Sequence, residues 1–180
     1  MHFLLHTLVE ADYRARVKAW AGILPASPRI LVIGVGNEYR SDDAVGLVVA
    51  RGLKALSLDN VTVIEEGGEG TDLMKSWKGA DKVILIDAAS SGAKPGTIHR
   101  IDARTQHIPR ALFRYSTHTF SVGEAVKLAR VMNQLPRHMV LYGIEGGSFE
   151  AGMVLSRSVE EAVPKVIELV LKQIQSVGSP

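Results

Sequence analysis

No cysteine occurs anywhere in the 180 residues. Disulfides, thiolate metal sites, iron-sulfur ligation and a cysteine nucleophile are excluded together, so any metal must be held by oxygen and imidazole. Excess charge is equally scarce: 21 Lys and Arg stand against 19 Asp and Glu, a balance of +2, and no long basic run occurs. The electrostatic footprint of a nucleic-acid binder is missing, and nucleic acid is not an expected partner. Long hydrophobic runs are lacking too. The apolar start, Met1 to Glu10, has no basic n-region, and Glu10, Asp12 and Arg14 interrupt it before a secretory segment or membrane span is complete. A cytoplasmic protein with no membrane partner is expected.

What is present fits one globular unit. Hydrophobic residues make up 46% and charged residues 22%, far from the composition of disorder. A chain of this length folds around one core and buries roughly 70% of the surface it would expose unfolded. From His2 to Trp20 the residues Leu5, Leu8, Val9, Tyr13, Val17 and Trp20 recur at three- and four-residue intervals. Residues 1–28 therefore read as an N-terminal helix and linker, and 29–176 as a single α/β domain.

Within that domain the apolar pattern alternates between strand and helix. Arg29 to Gly34 is a continuous apolar run suited to a strand buried on both faces. Val45, Val48, Val49, Leu53 and Leu56 place one stripe on the helix that follows, with Ser41 or Asp42 available to cap it. Strands are then expected at 61–65, 82–86, 97–101 and 139–144, the fourth of the five being the edge, and short helices near 72–78 and 122–132. A last helix over 159–174 begins with Ser158 and Glu161 as a capping box. Pro164 either kinks it or opens a restarted helix. The sum is an α/β three-layer sandwich with a mostly parallel, five-stranded twisted sheet and one antiparallel edge strand, flavodoxin-like or phosphorylase/hydrolase-like.

The turn after the first strand, Gly34-Val35-Gly36-Asn37-Glu38-Tyr39, invites comparison with a dinucleotide fingerprint and fails it. Bulky Tyr39 replaces the third glycine, and Glu38, Asp42 and Asp43 would face a phosphate. A P-loop ending is absent as well. What remains is a strand-turn-helix with two adjacent carboxylates in the opening turn. One of them can cap the helix; a second facing a cleft would need a cation.

Gly34-Val-Gly-Asn37 followed by Asp42-Asp43-Ala-Val-Gly46 resembles the N-terminal signature of the hydrogenase maturation proteases. Ile84-Leu-Ile-Asp87-Ala88 resembles that family's central strand, and Ser116-Thr-His118 its single-histidine loop. Tyr142-Gly-Ile-Glu145 with Leu155-Ser156 resembles its final strand and the turn before its last helix. The match runs in order from about Arg29 to Ile174. One departure stands out: Gly146-Gly147-Ser148-Phe149 occupies a stretch where many relatives have proline.

The resemblance implies an aspartic-type, nickel-dependent endopeptidase, acting as a monomer. Its partner would be a nickel-iron hydrogenase large-subunit precursor, whose C-terminal extension it removes after nickel insertion. The metal contacts it implies are Asp43, Asp87 and His118, with nickel supplied by the substrate and not permanently bound. The bare residues point the same way. Ligands in open α/β sheets bind beyond the carboxyl ends of strands at a switch point, and Asp43 and Asp87 follow two strands expected to flank it. Two carboxylates and an imidazole suit a divalent transition metal and leave coordination positions open.

Ordinary alternatives stand beside each residue. Asp87 can bond loop amides, and His118 can be a solvated loop residue. His2, His6, His99, His107 and His138 show no carboxylate company in the sequence. Hydrolysis would use metal-polarised water or a carboxylate, Asp42 or Asp43, as general base. Ser90, Ser91 and Ser121 lack the context of a nucleophile elbow. The turn Glu65 to Gly70 reads equally as a flexible acidic loop or a docking loop for a partner chain. The glycine turn alone would also fit a non-enzymatic nucleotide-binding or regulatory module, and the metal trio an autonomous metallopeptidase.

Overall fold

The computed structural model describes residues 29–109, 112–113 and 120–176. The expected N-terminal helix, with His2 and His6, and the expected ligand His118 lie outside the described residues.

β1 (Ile30–Val35) is buried at every position, as its unbroken apolar run requires. A 3-10 turn (Ser41–Ala44) leads into α1 (Val45–Ala55). There follow β2 (Val61–Glu66), α2 (Gly70–Ser76), β3 (Lys82–Ala89) and β4 (Ile98–Asp102). α3 (Val122–Val131), β5 (His138–Glu145), α4 (Arg157–Glu160) and α5 (Val163–Gln175) complete the described chain.

The five strands form one sheet in the order β2-β1-β3-β5-β4. β1 pairs in parallel with β2 and β3, and β3 with β5, while β4 runs antiparallel to β5 at one edge. The expected antiparallel edge is thus present, and half-buried β2 forms the second edge, which its Val-Thr-Val-Ile sequence had not marked. One face packs Leu31, Ile33, Leu85 and Leu141 against Leu73, Trp77 and the Val122, Ala125, Val126, Ala129 stripe of α3. The other packs Val32, Ile84, Val140 and Tyr142 against Val45, Val49 and Leu53 of α1 and Val166 and Val170 of α5. Three layers result, as the alternating pattern predicts.

Three local expectations are corrected and one open alternative is decided. Neither Ser41 nor Asp42 caps α1, because the 3-10 turn intervenes and the Asp42 side chain bonds elsewhere. Leu56 and Met132 lie just past the ends of α1 and α3, 50% and 49% exposed, and do not extend the buried stripes. Of the two alternatives at Pro164, the restarted helix is found: α4 ends at Glu160, and α5 opens with Pro164 in its first turn, where no amide is needed. Ser158 and Glu161 form no capping box; α4 starts after Ser156, and the capping box that does form joins Ser121 and Glu124 at α3.

Candidate active site

β1 leaves its ladder with β3 at the pair Gly34 and Ile86, whereas β3 continues beside β5 through Ala89 and Glu145. The chain passes from β1 to β2 on one side and to β3 on the other, so a crevice opens at the reversal of strand order. Asp87 stands in that extension of β3, within the strand and not after it, paired with Gly143.

Glycines let the opposing segment close in. A Cβ on Gly46 would lie 2.2 Å from the Val35 carbonyl oxygen and 2.4 Å from that of Ile86. The start of α1 therefore packs directly on the strand ends, the contact for which a dinucleotide fingerprint would use its third glycine. A Cβ on Gly36 would lie 1.9 Å from the Asp43 carbonyl oxygen, so the 3-10 turn folds back over the end of β1. Ser41 in this turn is held at φ 45°, its amide donating to the Gly152 carbonyl at 2.8 Å. Such backbone persists only where the surroundings fix it.

The two adjacent aspartates have different surroundings. Asp42 is fully buried, and its carboxylate accepts four hydrogen bonds. Oδ2 takes the amides of Gly147 at 2.7 Å and Ser148 at 2.9 Å and the Ser156 hydroxyl at 2.9 Å; Oδ1 takes the Ser156 amide at 2.6 Å. It ties the turn after β1 to the loop between β5 and α4. Proline at 147 or 148 would delete one of these donors.

Asp43 instead lines a cleft with Val35, Gly36, Gly67, Gly68, Asp87, Ala88, Ala89, Ser90, Phe113 and Phe149. The crevice thus joins the carboxyl ends of β1, β2 and β3, and the Gly67-Gly68 turn forms part of its wall. Asp87 is 7% exposed and accepts one backbone hydrogen bond, from the Ala88 amide at 2.8 Å. Burial pushes its carboxyl well above the ordinary range, the charge of Asp43 pushes it further, and the Ala88 amide only partly opposes them. Two carboxylates in one cleft, one resisting ionisation, make a setting that a divalent cation would relieve.

Among the described residues no three acidic or imidazole side chains converge as a metal-holding group. The structure brings Asp43 and Asp87 together; the third expected ligand, His118, is among the residues not described.

A further buried carboxylate, not marked by the sequence, is a centre of contacts. Glu145, 2% exposed at the end of β5, accepts from the Ser91 hydroxyl at 2.9 Å, the Gly92 amide at 2.8 Å and the Ala93 amide at 3.1 Å. His99 Nε2 lies 3.1 Å away. Burial alone would raise its carboxyl, but the bonds from Ser91, Gly92 and His99 together hold it below the ordinary value. His99 thus has the carboxylate company its sequence context did not reveal: register pairs it with Gly143, diagonal to Glu145. His107 and His138 are exposed. Ser91 binds Glu145 and Ser121 caps α3, so neither is set up as a nucleophile. No helix among the described residues is long and apolar enough to cross a membrane.

Comparison with known proteins agrees with this architecture. Residues 48–173 match the family model of the HycI hydrogenase maturation proteases. A putative hydrogenase maturation protease of Methanocaldococcus jannaschii is 33% identical over 152 residues, covering 81% of this chain and 96% of its own. The hydrogenase expression/formation protein HupD of Rhizobium leguminosarum bv. viciae is 30% identical over 159 residues, 86% of this chain and 78% of its own. Among solved structures, the nickel-iron hydrogenase maturation protease HybD of Thermococcus kodakarensis superposes with a TM-score of 0.66 at 26% identity, covering 81% and 99% of the two chains. With the family model spanning more than half of the sequence, this chain belongs to the hydrogenase maturation proteases.

Proposed function

We propose that this protein is an endopeptidase that removes the C-terminal extension of a nickel-iron hydrogenase large-subunit precursor once nickel has been inserted. It reads the inserted nickel through Asp43, Asp87 and His118. One observation carries the reading: Asp43 and Asp87 share the cleft at the strand-order reversal, with the second carboxyl held above its ordinary range by burial and the first. A site that disfavours its own ionisation is poised for a cation arriving on another molecule.

Nickel belongs to the substrate in this scheme. Asp43 and Asp87 supply hard oxygen ligands, and His118 the imidazole, leaving the remaining positions to the precursor's own ligands. Anchored there, the precursor presents its scissile carbonyl to the cleft between the Gly67-Gly68 turn and Phe149, where absent Cβ atoms admit an extended chain. We assign the general base to Asp43. Asp42, the other candidate, already spends both oxygens on four donors, and its part is to hold the turn. Water loses a proton to the Asp43 carboxylate as it attacks the carbonyl, and the proton passes to the departing amine, completing hydrolysis.

The test is intact mass of a hydrogenase precursor, nickel-loaded or metal-free, before and after incubation with the protein. Loss of the tail from the loaded form alone is expected, with Asp43→Asn, Asp87→Asn and His118→Gln each slowing it at least a hundredfold. Equal cleavage of the metal-free precursor, or full activity of Asp87→Asn, would overturn the reading. Digestion of unstructured peptides by the protein alone would point to an autonomous peptidase.

A further inference from the structure

At the other end of the sheet, the amino ends of β3 and β5 and the carboxyl end of β4 border a cavity of about 400 Å³. Its wall is cationic. Lys82, Arg100, Arg104 and Arg137 line it with His138, and Asp102 is the one carboxylate among them. Register explains the convergence: Lys82 pairs with His138, Asp102 with Val140 and Arg100 with Tyr142. Strand alternation therefore sends Lys82, Arg100, Asp102 and His138 to one face, the face that α5 covers.

The lysine at the centre is anomalous. Lys82 is 2% exposed, yet among the described residues no carboxylate lies within ion-pair distance of it. Its ammonium donates to the Gln173 carbonyl and reaches the Ser176 hydroxyl at 3.5 Å, a marginal bond. An ammonium has three donors. Burial, and then the charge of Arg100, push Lys82 down to about 8.

No neighbouring carboxylate among the described residues forms an ion pair with it. Asp102 Oδ1 caps its own turn, accepting the amides of Arg104 at 2.8 Å and Thr105 at 3.3 Å. Arg100 donates to the Gln173 side-chain oxygen at 3.0 Å, and Arg104 to the Pro136 carbonyl at 3.3 Å, both neutral acceptors. Arg137 faces Asp81, but that carboxylate is engaged by the Arg29 amide at 2.9 Å. A lysine that only capped the carboxyl end of α5 would need neither the cavity before it nor three guanidinium groups around it.

We propose that this cavity binds a small multivalent oxyanion of the phosphate class, held by Lys82 and Arg100 with Arg104 and Arg137 at the rim. Guanidinium groups match tetrahedral oxyanions through paired N–H donors, and a buried ammonium adds a point charge. The bounded volume and the absence of a longer basic stripe favour a small anion over a nucleic-acid strand. The site lies at the amino edge of the sheet and does not depend on the protease reading. Since Lys82 and Arg100 both grip Gln173, occupancy would also be felt at the end of α5.

Calorimetric titration of the full chain with pyrophosphate, with chloride matched for ionic strength as control, tests the proposal. One equivalent should bind, and Arg100→Gln and Arg104→Gln should each weaken it at least tenfold. Arg51→Gln, which touches an exposed surface cluster elsewhere, should leave it unchanged. Lys82→Met should abolish binding; if that variant does not fold, the two arginine variants decide. ADP in place of pyrophosphate separates the sources: equal affinity assigns the site to phosphate groups alone, tighter ADP binding to a nucleotide, and both uphold the oxyanion. No saturable binding, an effect matched by chloride, equal affinity in Arg100→Gln, or preference for a tetraglutamate peptide would each overturn it.

Discussion

Asp42 and Asp43 are neighbours in sequence with different surroundings, Asp42 in a hydrogen-bonded brace and Asp43 on the wall of the cleft. Four hydrogen-bond donors hold both oxygens of the Asp42 carboxylate. Replacing it with Asn removes the charge and turns one acceptor into a donor facing donors, which should cost about 3 kcal/mol. Urea unfolding of Asp42→Asn would show this, and an unchanged midpoint would remove the bracing role. Asp87 has a carboxyl set by burial and by its neighbour. Its folded carboxyl is raised by burial and Asp43, so its contribution to stability is complete below the ordinary carboxylate range. That contribution is lost as pH climbs through the raised value. At neutral pH the metal-free protein therefore carries a carboxyl that opposes folding. Asp87→Asn is expected to stabilise it by about 1 kcal/mol or more, with the gain vanishing in acid and cleavage of the precursor lost. A variant less stable than the parent at neutral pH would contradict the assignment.

At the level of elements, contact between β1 and α1 decides whether the cleft exists. Gly46 sits against the carbonyls of Val35 and Ile86, and nothing there is a flexible side chain that can yield. Gly46→Ala should destabilise by about 2 kcal/mol through overpacking and displace Asp43; thermal unfolding with a precursor-cleavage assay would register both. Gly67, with open space around its Cβ position, should accept Ala with little loss of stability. The central strands were legible because runs such as Ile30–Val35 and Val83–Ile86 are apolar without interruption. Helix ends were not: Ser57 at φ 49° and Asn133 at φ 56° stop α1 and α3 in the left-handed region without the glycine that usually marks it. The Ser-x-x-Glu pattern occurs at both 121 and 158, and only the tertiary setting chooses. Asp42 claims the Ser156 hydroxyl at the start of α4, while Ser121 is left for its own helix. That Asp43 and Asp87 share a cleft was legible because each lies near the carboxyl end of one of two adjacent parallel strands. The His99 and Glu145 pair was not, since 46 residues separate them and only the β4·β5 register makes them neighbours.

Across the whole molecule the sheet is polarised. Asp43 and Asp87 stand at the carboxyl edge beside the Gly67-Gly68 turn, whereas Lys82, Arg100, Arg104 and Arg137 gather around the amino ends of β3 and β5. A net balance of +2 conceals two opposite local fields. A divalent cation that binds the folded cleft and not the unfolded chain must raise stability by mass action. At a free concentration tenfold above Kd that amounts to about 1.4 kcal/mol. For a domain of this size the unfolding midpoint should then rise by roughly 3–6 °C. Nickel added to the chelator-treated protein is expected to produce this shift, and magnesium much less, because the imidazole of the proposed ligand His118 would favour the transition metal. Asp43→Asn and Asp87→Asn should each remove most of the effect, while Glu145→Gln should retain it, its carboxylate being committed to Ser91, Gly92 and His99. If Glu145→Gln abolished the nickel shift and Asp87→Asn did not, the metal contact would belong to the β4·β5 edge, and the crevice between β1 and β3 would lose its proposed role.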